Sequence, residues 1–547
     1  MQIHANYVDI LNKKITEAVI HFDKKINRIE VLNNTENTNL PYVLPGFVDS
    51  HVHIESSMLI PSEFARLAVL HGTVATVSDP HEIANVCGIE GVKYMIDNGN
   101  KVPFKFFFGA PSCVPATQFE TAGAELNSDA VRDLLSMEEI NYLSEMMNFP
   151  GVLYNDDEVL TKIRYARELG KPVDGHAPGL RGKNAQHYAS AGISTDHECY
   201  TYEEAEEKIG YGMKILIREG SAAKNFEALI GLLHKYEDEI MFCSDDKHPD
   251  SLVIGHINEL CKRAVAKGVD VFKVLKAACI NPVKHYKLNV GLLNIADAAD
   301  FIVVKNLKDF AIQATYINGE QVAQYGKSYI QSIKEKTINR FVASLIHVED
   351  IQVTTDDFVK DSKGNIPVIE AIDGQLITHK LWLQPSVANG CIQSNTEQDV
   401  LKIVVINRYQ KAKPAVAFIK NFRFKKGAIA STVAHDSHNV IAVGADDKSI
   451  AAAINALMQS QGGVSIAVND TTEILPLPVA GLMTNEDAFE VARQYEHLDK
   501  KAKALGSRLQ SPYMTLSFMA LLVIPHLKLS DKGLFDCDRF GMMGDKE

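Results

Sequence analysis

The chain has 547 residues, which is too many for one ordinary domain, so we expect two to four domains with large cores. Its formal net charge is −13, its pI is about 5.8, and no basic stripe stands out. This acidic balance argues against general nucleic-acid binding. The eight cysteines form no Cys-x-x-Cys pair, and no apolar run is long enough to cross a bilayer. We therefore expect a protein of the reducing cytoplasm with no membrane partner.

Short apolar runs alternate with helix-like segments from residue 46 to residue 284. The runs with the pattern of strands are 42–54, 73–80, 104–111, 140–147, 171–178, 193–198, 213–220 and 240–248. Segments with apolar residues at helical spacing lie between them, and several end near a glycine. Eight such units predict an α/β fold, a (β/α)8 TIM barrel, whose catalytic groups lie at the carboxyl ends of the strands.

The regions on either side of this barrel have different patterns. Residues 1–45 and 285–340 contain short β-like runs separated by Asn, Gly and Asp. We predict that the two flanks form one small composite β-sandwich, since the ends of an inserted domain usually lie close together. Residues 345–547 mix strand-like runs with longer helical patterns, which predicts an additional α+β C-terminal domain.

The stretch "GFVDSHVHIESSM", residues 46–58, places two histidines at the end of the first barrel strand. Residues i and i+2 of a strand point to the same side, so His51 and His53 project together. An arbitrary His-x-His is more often a solvated turn than a metal site. Here the preceding run is continuously apolar, as in a buried parallel strand, and this favours a metal site at the strand's tip.

Further polar residues lie at the ends of the other predicted strands. Together with the first pair, they are His51, His53, Glu145, His176, His197 and Asp245 with its neighbour Asp246. Four imidazoles and two carboxylates, Glu145 and one of the two aspartates, at one barrel mouth suit two divalent ions of the Mn, Fe or Zn type. The strand's apolar run ends immediately before Asp245 at Ser244, which favours Asp245 over Asp246, although both stay open.

The motifs "GFVDSHVHIESSM", "SDPHEIANVCG", "MMNFPGV", "DGHAPGL", "DHE" and "CSDDKHP" resemble the amidohydrolase superfamily and, within it, the adenine deaminase family. The resemblance extends into the third region through "VAHDSHNVIAVG" and "LPLPVAGLM", and so covers nearly the full chain. It implies hydrolysis of adenine to hypoxanthine and ammonia in purine salvage. It also implies two divalent ions per chain, most simply Mn or Fe, with Zn as the alternative.

The resemblance also implies a role for each strand-end residue. His51, His53, His176 and His197 match metal ligands, and Asp245 matches the aspartate that binds metal and shuttles the proton. Many binuclear relatives bridge their metals with a carbamylated lysine on the fourth strand. This chain has no lysine in "INYLSEMMNFPGV", and the resemblance gives the bridging role to Glu145. The catalytic residues expected are Asp245, Glu145 and, as the open alternative, Asp246.

Other polar residues near the strand ends are candidates for contacts with the substrate. Glu55, His81, Glu82 and His248 follow the first, second and eighth strands, where helix capping explains them as well as substrate binding does. His435 and His438 lie far along the chain in "AHDSHN". The functional hypothesis is that the C-terminal domain, residues 345–547, folds over the barrel mouth and that these histidines bind the substrate. The alternative is that they form a local hydrogen-bond network at a turn.

Two other functions compete with adenine deamination. The first keeps the barrel and its metals but changes the substrate to a cyclic amide or an acetylated amino sugar. The second is a non-catalytic amidohydrolase-like scaffold, which predicts missing ligands, whereas the full ligand set is present. The size of the chain and its additional domain lead us to expect a homodimer with adenine as its small-molecule partner.

Overall fold

The computed structural model describes residues 1–221 and 223–544. The chain opens with four strands: Gln2–Asp9, Lys14–Phe22, Ile26–Asn33 and Tyr42–Pro45. Four more follow the barrel: Phe301–Val304, Ile312–Ile317, Glu320–Gln324 and Lys327–Ser328. All eight belong to one sheet, because Tyr42–Pro45 pairs with both Gln2–Asp9 and Phe301–Val304. The two flanks of the barrel thus meet in one hydrogen-bonded layer.

Eight further strands form the barrel between these flanks. In chain order they are Phe47–Val52, Thr73–Ser78, Lys105–Ala110, Ile140–Met146, Val173–Gly175, Thr195–Asp196, Lys214–Arg218 and Ile240–Cys243. Each paired neighbour runs parallel. The amide of Ser194 donates to the carbonyl of Val173 at 2.8 Å, and the amide of Asp245 donates to that of His51 at 2.9 Å. These contacts close the ring and confirm the predicted (β/α)8 barrel.

Helices surround the barrel, as the alternating pattern predicts. They are Pro61–Ala68, His81–Cys87, Ile89–Gly99, Ser128–Leu135, Phe149–Leu153, Asp157–Glu168, Gly182–Ser190, Tyr202–Gly210, Phe226–Leu229, Pro249–Ile254, Ile257–Ala266, Val271–Leu275 and Asn281–Tyr286. Side chains placed before them set several starting points, since Asp156 and Thr201 accept hydrogen bonds from amides of the first turn. Among the described residues, no helix is both long and apolar enough to span a bilayer.

As far as residue 544, where the described part ends, the C-terminal region is a separate β-rich unit with three α-helices. Its main sheet has eight strands in the spatial order Thr378–Leu383, Ile366–Ala371, Ala415–Lys420, Leu401–Ile406, Val440–Gly444, Ala428–Ser431, Gly463–Val468 and Thr471–Pro476. Shorter strands are Val387–Ala388, Cys391–Ile392, Leu527–Ser530, Gly533–Asp536 and Gly541–Met542, and the helices are Asp447–Ser460, Ala488–Ala504 and Pro512–Ser517. This architecture confirms the predicted additional α+β domain.

The C-terminal domain lies against the carboxyl ends of the barrel strands. At one side, Glu63 accepts a hydrogen bond from the amide of Ala488 at 3.0 Å. At the other side, the Asn439 side chain donates to the carbonyl of Thr121 at 2.9 Å. The domain therefore covers the mouth of the barrel, where the candidate site residues lie.

Lys208 is a buried cation beside the sixth strand of the barrel, and we expect its removal to lower the free energy of unfolding. The Lys208 ammonium donates to Asp196 and Glu204 at 2.8 Å and to the carbonyl of Ala177 at 2.7 Å. Lys208→Met leaves two buried carboxylates without this cation, so we expect the free energy of unfolding to fall by about 3 to 5 kcal/mol. Urea denaturation measures this, and Lys500→Met, at an exposed ion pair, should leave the free energy of unfolding nearly unchanged.

Candidate active site

The two histidines of the first strand enter the barrel mouth side by side. His51 and His53 have exposed fractions of 0% and 3%, and their Nε2 atoms lie 3.2 Å apart. His53 Nδ1 lies 3.2 Å from the carbonyl of Asp79, which accepts only if Nδ1 carries the proton. The lone pair of His53 Nε2 therefore points into the site, which is the tautomer that a metal ligand needs.

Glu145 lies between two groups of histidines. Its Oε1 is 3.3 Å from His53 Nε2, while its Oε2 is 2.8 Å from His176 Nδ1 and 3.0 Å from His197 Nε2. Burial alone raises the pKa of Glu145, but His176 and His197 outweigh it and hold the pKa well below its usual range. The carboxylate is therefore ionised and turns one oxygen to each group, as a bridging ligand requires.

Asp245 and Asp246 point in different directions. Asp245 Oδ1 is 3.5 Å from His51 Nε2 and 3.3 Å from His53 Nε2. The side chain of Asp246 instead accepts a hydrogen bond from Ser56. The backbone of Asp245 is left-handed, with φ of 54°, and this turn directs the two successive side chains apart. Asp245 is thus the aspartate that faces the histidines.

Asp49 fixes the first strand against the eighth beneath these residues. Its Oδ1 accepts a hydrogen bond from the amide of Ser244 at 2.9 Å, and its Oδ2 lies 2.8 Å from His256 Nε2. Ser244 immediately precedes Asp245, and Asp49 lies two residues before His51. This contact therefore sets the relative height of ligands on two different strands.

The residues present fit a pair of divalent ions. The six candidate ligands have exposed fractions of 0 to 5%: His51, His53, Glu145, His176, His197 and Asp245. Their ligand atoms form overlapping groups whose members all lie within 4.8 Å of one another, among them His51, His53 and Asp245 in one group and His51, Glu145 and His197 in another. Imidazole and carboxylate donors together suit Mn, Fe or Zn.

Three charged residues next to these ligands were absent from the sequence-based set. Asp79 Oδ2 is 3.2 Å from His81 Nδ1, and that nitrogen is 3.4 Å from Glu145 Oε1. Glu198 and Arg218 form a buried ion pair at the ends of the sixth and seventh strands. All three are polar residues at strand ends, so the rule that selected the histidines also points to them.

Glu82 connects the barrel to the C-terminal domain. His435 Nδ1 is 2.5 Å from Glu82 Oε1, and His438 Nε2 contacts Glu82 Oε2. The Ala434 amide donates to His438 Nδ1 at 3.2 Å, so His438 Nε2 carries a proton and donates to Glu82. Burial lowers the pKa of His435, but Glu82 and then Asp246 outweigh it and raise that pKa to about 9.

Apolar side chains cover the remaining space above the ligands. The Phe518 ring stacks on His435 with centroids 4.5 Å apart and planes inclined by 13°. Leu376, Leu521 and Met147 line the same cavity, whose volume is about 20 Å³. The space that these side chains leave is little more than one water molecule needs.

Three substrate-contact candidates from the sequence, Glu55, His248 and His438, lie outside the cavity lining. Glu55 Oε1 accepts a hydrogen bond from the amide of Ile83 at 3.1 Å, and burial raises the pKa of Glu55 to about 7. His248 packs edge-on against Tyr495, with ring centroids 4.6 Å apart. Both residues therefore support loops that carry the site. His81, Glu82, Asp246 and His435 do line the cavity, whereas His438 lies behind Glu82.

Residues 42–322 match the Amidohydrolase family, so the fold and the site define a metal-dependent hydrolase of that class. The chain is 54% identical over 538 residues to the adenine deaminase of Sulfurovum sp. (strain NBC37-1), covering 98% of each chain. It is 52% identical to that of Salinibacter ruber, covering 98% of this chain and 97% of the relative. Residues 375–541 match the Adenine deaminase C-terminal domain, and the chain belongs to the adenine deaminase family.

Proposed function

We propose that this chain hydrolyses adenine to hypoxanthine and ammonia with two divalent ions. The ions would be held by His51, His53, Glu145, His176, His197 and Asp245. The observation that carries this proposal is the position of Glu145, which turns one oxygen to His53 and the other to His176 and His197. The curated adenine deaminases at about half identity over nearly the whole chain support adenine as the substrate.

The chemistry requires a strong nucleophile and a proton for the leaving amine. Two divalent ions, when bound, supply the nucleophile because they lower the pKa of water from 15.7 to about 7. Asp245 accepts the proton of the attacking water on Oδ1, the oxygen that faces the histidines, because Oδ2 is held by Arg218 at 2.8 Å. Asp245 then returns this proton to the exocyclic nitrogen as ammonia leaves C6.

The C-terminal domain completes the site by covering the base. His435 is held on one side by Glu82, and its Nε2 finds no hydrogen-bond partner in the described ranges 1–221 and 223–544. That nitrogen lines the cavity and is available to a ring nitrogen of adenine. Phe518 above it provides an apolar surface and keeps water away from the reacting carbon.

Replacing His435 and His438 by Ala should lower kcat/KM for adenine by about 10- to 100-fold, the cost of losing a hydrogen bond to a charged group. The bound metal should be retained, because neither histidine belongs to the ligand set. Steady-state kinetics and elemental analysis of the same preparation measure both quantities. His497→Ala, at an exposed histidine of the same domain, is the matched control. Unchanged kinetics in the double variant would leave only a local structural role for the pair.

Ammonia release from a panel of substrates tests the activity itself. The panel contains adenine, adenosine, dihydroorotate and N-acetylglucosamine 6-phosphate, and we expect ammonia from adenine. Turnover of dihydroorotate or the amino sugar, measured by loss of substrate, would indicate the cyclic-amide or deacetylase alternative. Absence of turnover with all four compounds in protein that holds metal would indicate a scaffold.

The proposal extends to metal identity, location and assembly. Manganese or iron fits the mixed nitrogen and oxygen ligands, with zinc as the alternative. All eight cysteines are free thiols, which supports a reducing cytoplasm. We also propose a homodimer, which light scattering on the purified protein tests directly.

A further inference from the structure

Arg218 is a buried arginine at the barrel mouth that contacts two carboxylates. It is the last residue of the seventh strand, Lys214–Arg218, and its exposed fraction is 6%. Its two terminal nitrogens donate hydrogen bonds to the two oxygens of Glu198, and the NH2 to Oε2 distance is 2.9 Å. The nitrogen NH1 also lies 2.8 Å from Asp245 Oδ2. One guanidinium therefore holds two acidic side chains in a fixed arrangement.

Glu198 is close enough to the metal-site histidines to act as a further ligand. Its Oε1 is 3.5 Å from His197 Nε2 and 3.6 Å from His176 Nδ1. These three side chains form one of the groups whose ligand atoms could hold an ion. Carboxylates bind Mn and Fe well, so a free Glu198 would compete with Glu145 for the ion held by His176 and His197. Arg218 occupies both of its oxygens instead.

The two carboxylate oxygens of Asp245 have different partners. Oδ2 faces the guanidinium, whereas Oδ1 faces His51 and His53 at 3.5 and 3.3 Å. A carboxylate that is free to rotate can offer both oxygens to one cation. The contact with Arg218 removes this freedom and leaves one oxygen for the metal and the reacting water.

Hydrogen bonds from the Asn225 side chain to the backbone fix the positions of Arg218 and Glu198 relative to each other. The Asn225 side chain accepts a hydrogen bond from the amide of Arg218 at 2.8 Å. The same side chain donates to the carbonyls of His197 and Cys199 at 3.0 Å. Asn225 therefore links the end of the seventh strand to both neighbours of Glu198. These hydrogen bonds fix the backbone positions of Glu198 and Arg218 before the two side chains pair.

We propose that Arg218 is a positioning residue that withholds Glu198 from the metals and limits Asp245 to one oxygen. This inference rests on the proposed two-metal site. The planar fork of arginine is needed because it binds one carboxylate through two nitrogens and still reaches a second carboxylate. Lysine offers one compact charge, which can contact two carboxylates, as Lys208 does, but cannot bind both oxygens of one carboxylate through two separate nitrogens.

Cobalt(II) in the apo-protein is the probe, because its visible absorption weakens as its coordination number rises. Arg218→Met should lower kcat for adenine by about 10- to 100-fold and weaken the cobalt absorption, since Glu198 becomes free to bind. Arg218→Lys keeps the charge and should show the same direction of change. The double variant Arg218→Met with Glu198→Gln should regain the absorption of the wild-type protein and part of the lost kcat.

Lys208→Met is the matched control, because it removes another buried cation that pairs with two carboxylates near His197. It should lower stability without changing the cobalt absorption. A wild-type absorption in Arg218→Met, an equal change in Lys208→Met, or a double variant identical to the single one would each overturn the inference. Wild-type protein that binds fewer than two cobalt ions, or does not release ammonia from adenine, would instead contradict the proposed function.

Discussion

We expect Asp245→Asn to lower kcat for adenine by about a thousandfold or more, within the range that general acid–base groups contribute. A neutral amide of the same shape cannot accept the proton of the attacking water and return it to the leaving nitrogen. Asparagine tolerates the left-handed backbone at φ of 54° as well as aspartate does, so the fold should persist. Steady-state kinetics together with the thermal unfolding midpoint distinguish lost chemistry from lost structure.

Asp246→Asn is the natural comparison for this variant. Asp246 bonds to Ser56 and lies 3.9 Å from His435 Nε2, so its replacement should act on the cover of the site and cost less activity. If Asp246→Asn were the inactive protein while Asp245→Asn retained its activity, the proton shuttle would have to be reassigned by one residue.

Glu145→Gln should reduce the bound metal from two ions to at most one per chain and lower kcat by about 100-fold or more. The carboxylate contacts His53 through one oxygen and His176 with His197 through the other, so a single change affects both halves of the site. An amide has one acceptor oxygen and no charge, and cannot link two cations in this way. Elemental analysis of the purified variant measures the loss.

Glu120→Gln provides the control for a buried carboxylate in the same region. Glu120 accepts hydrogen bonds from Thr117 and Ser437, and in the described part of the chain it forms no ion pair with the ligand histidines. This variant should keep both ions. Fully active wild-type protein with one ion or fewer per chain would contradict the bridged pair altogether.

The barrel and the ligand candidates could be predicted because each depends on short-range pattern. Eight apolar runs define the strands, and a polar residue at the end of a buried parallel strand has to lie at the mouth. His51, Glu145 and His176 follow from that rule without knowledge of any distance. The same rule places Arg218 and Glu198 at the mouth but does not tell which side chains touch there. Those contacts depend on side-chain rotamers and on the hydrogen bonds by which Asn225 links the sixth and seventh strands.

The docking of the C-terminal domain could not be derived in the same way. Glu82 and His435 are separated by 353 residues, and a local pattern in the sequence cannot predict a contact over such a distance along the chain. The sequence led only to a hypothesis that "AHDSHN" folds over the barrel mouth. The structure brings His435 and His438 to Glu82, while Glu55 and His248 support loops instead. Surface complementarity between two folded units decides such contacts, and it is spread over many side chains.

The cover of the ligand cavity also has a consequence for how ions reach the site during biosynthesis. The barrel and its flanking sheet are complete by Ser328, and roughly 200 further residues follow. At about 5 to 20 residues per second, a ribosome needs on the order of 10 to 40 seconds for this remainder. Because N-terminal domains generally fold first during synthesis, we expect the barrel histidines to face solvent in that interval without Phe518 and Leu521 above them. The order of translation therefore gives the ions a period of open access before the C-terminal domain folds over them.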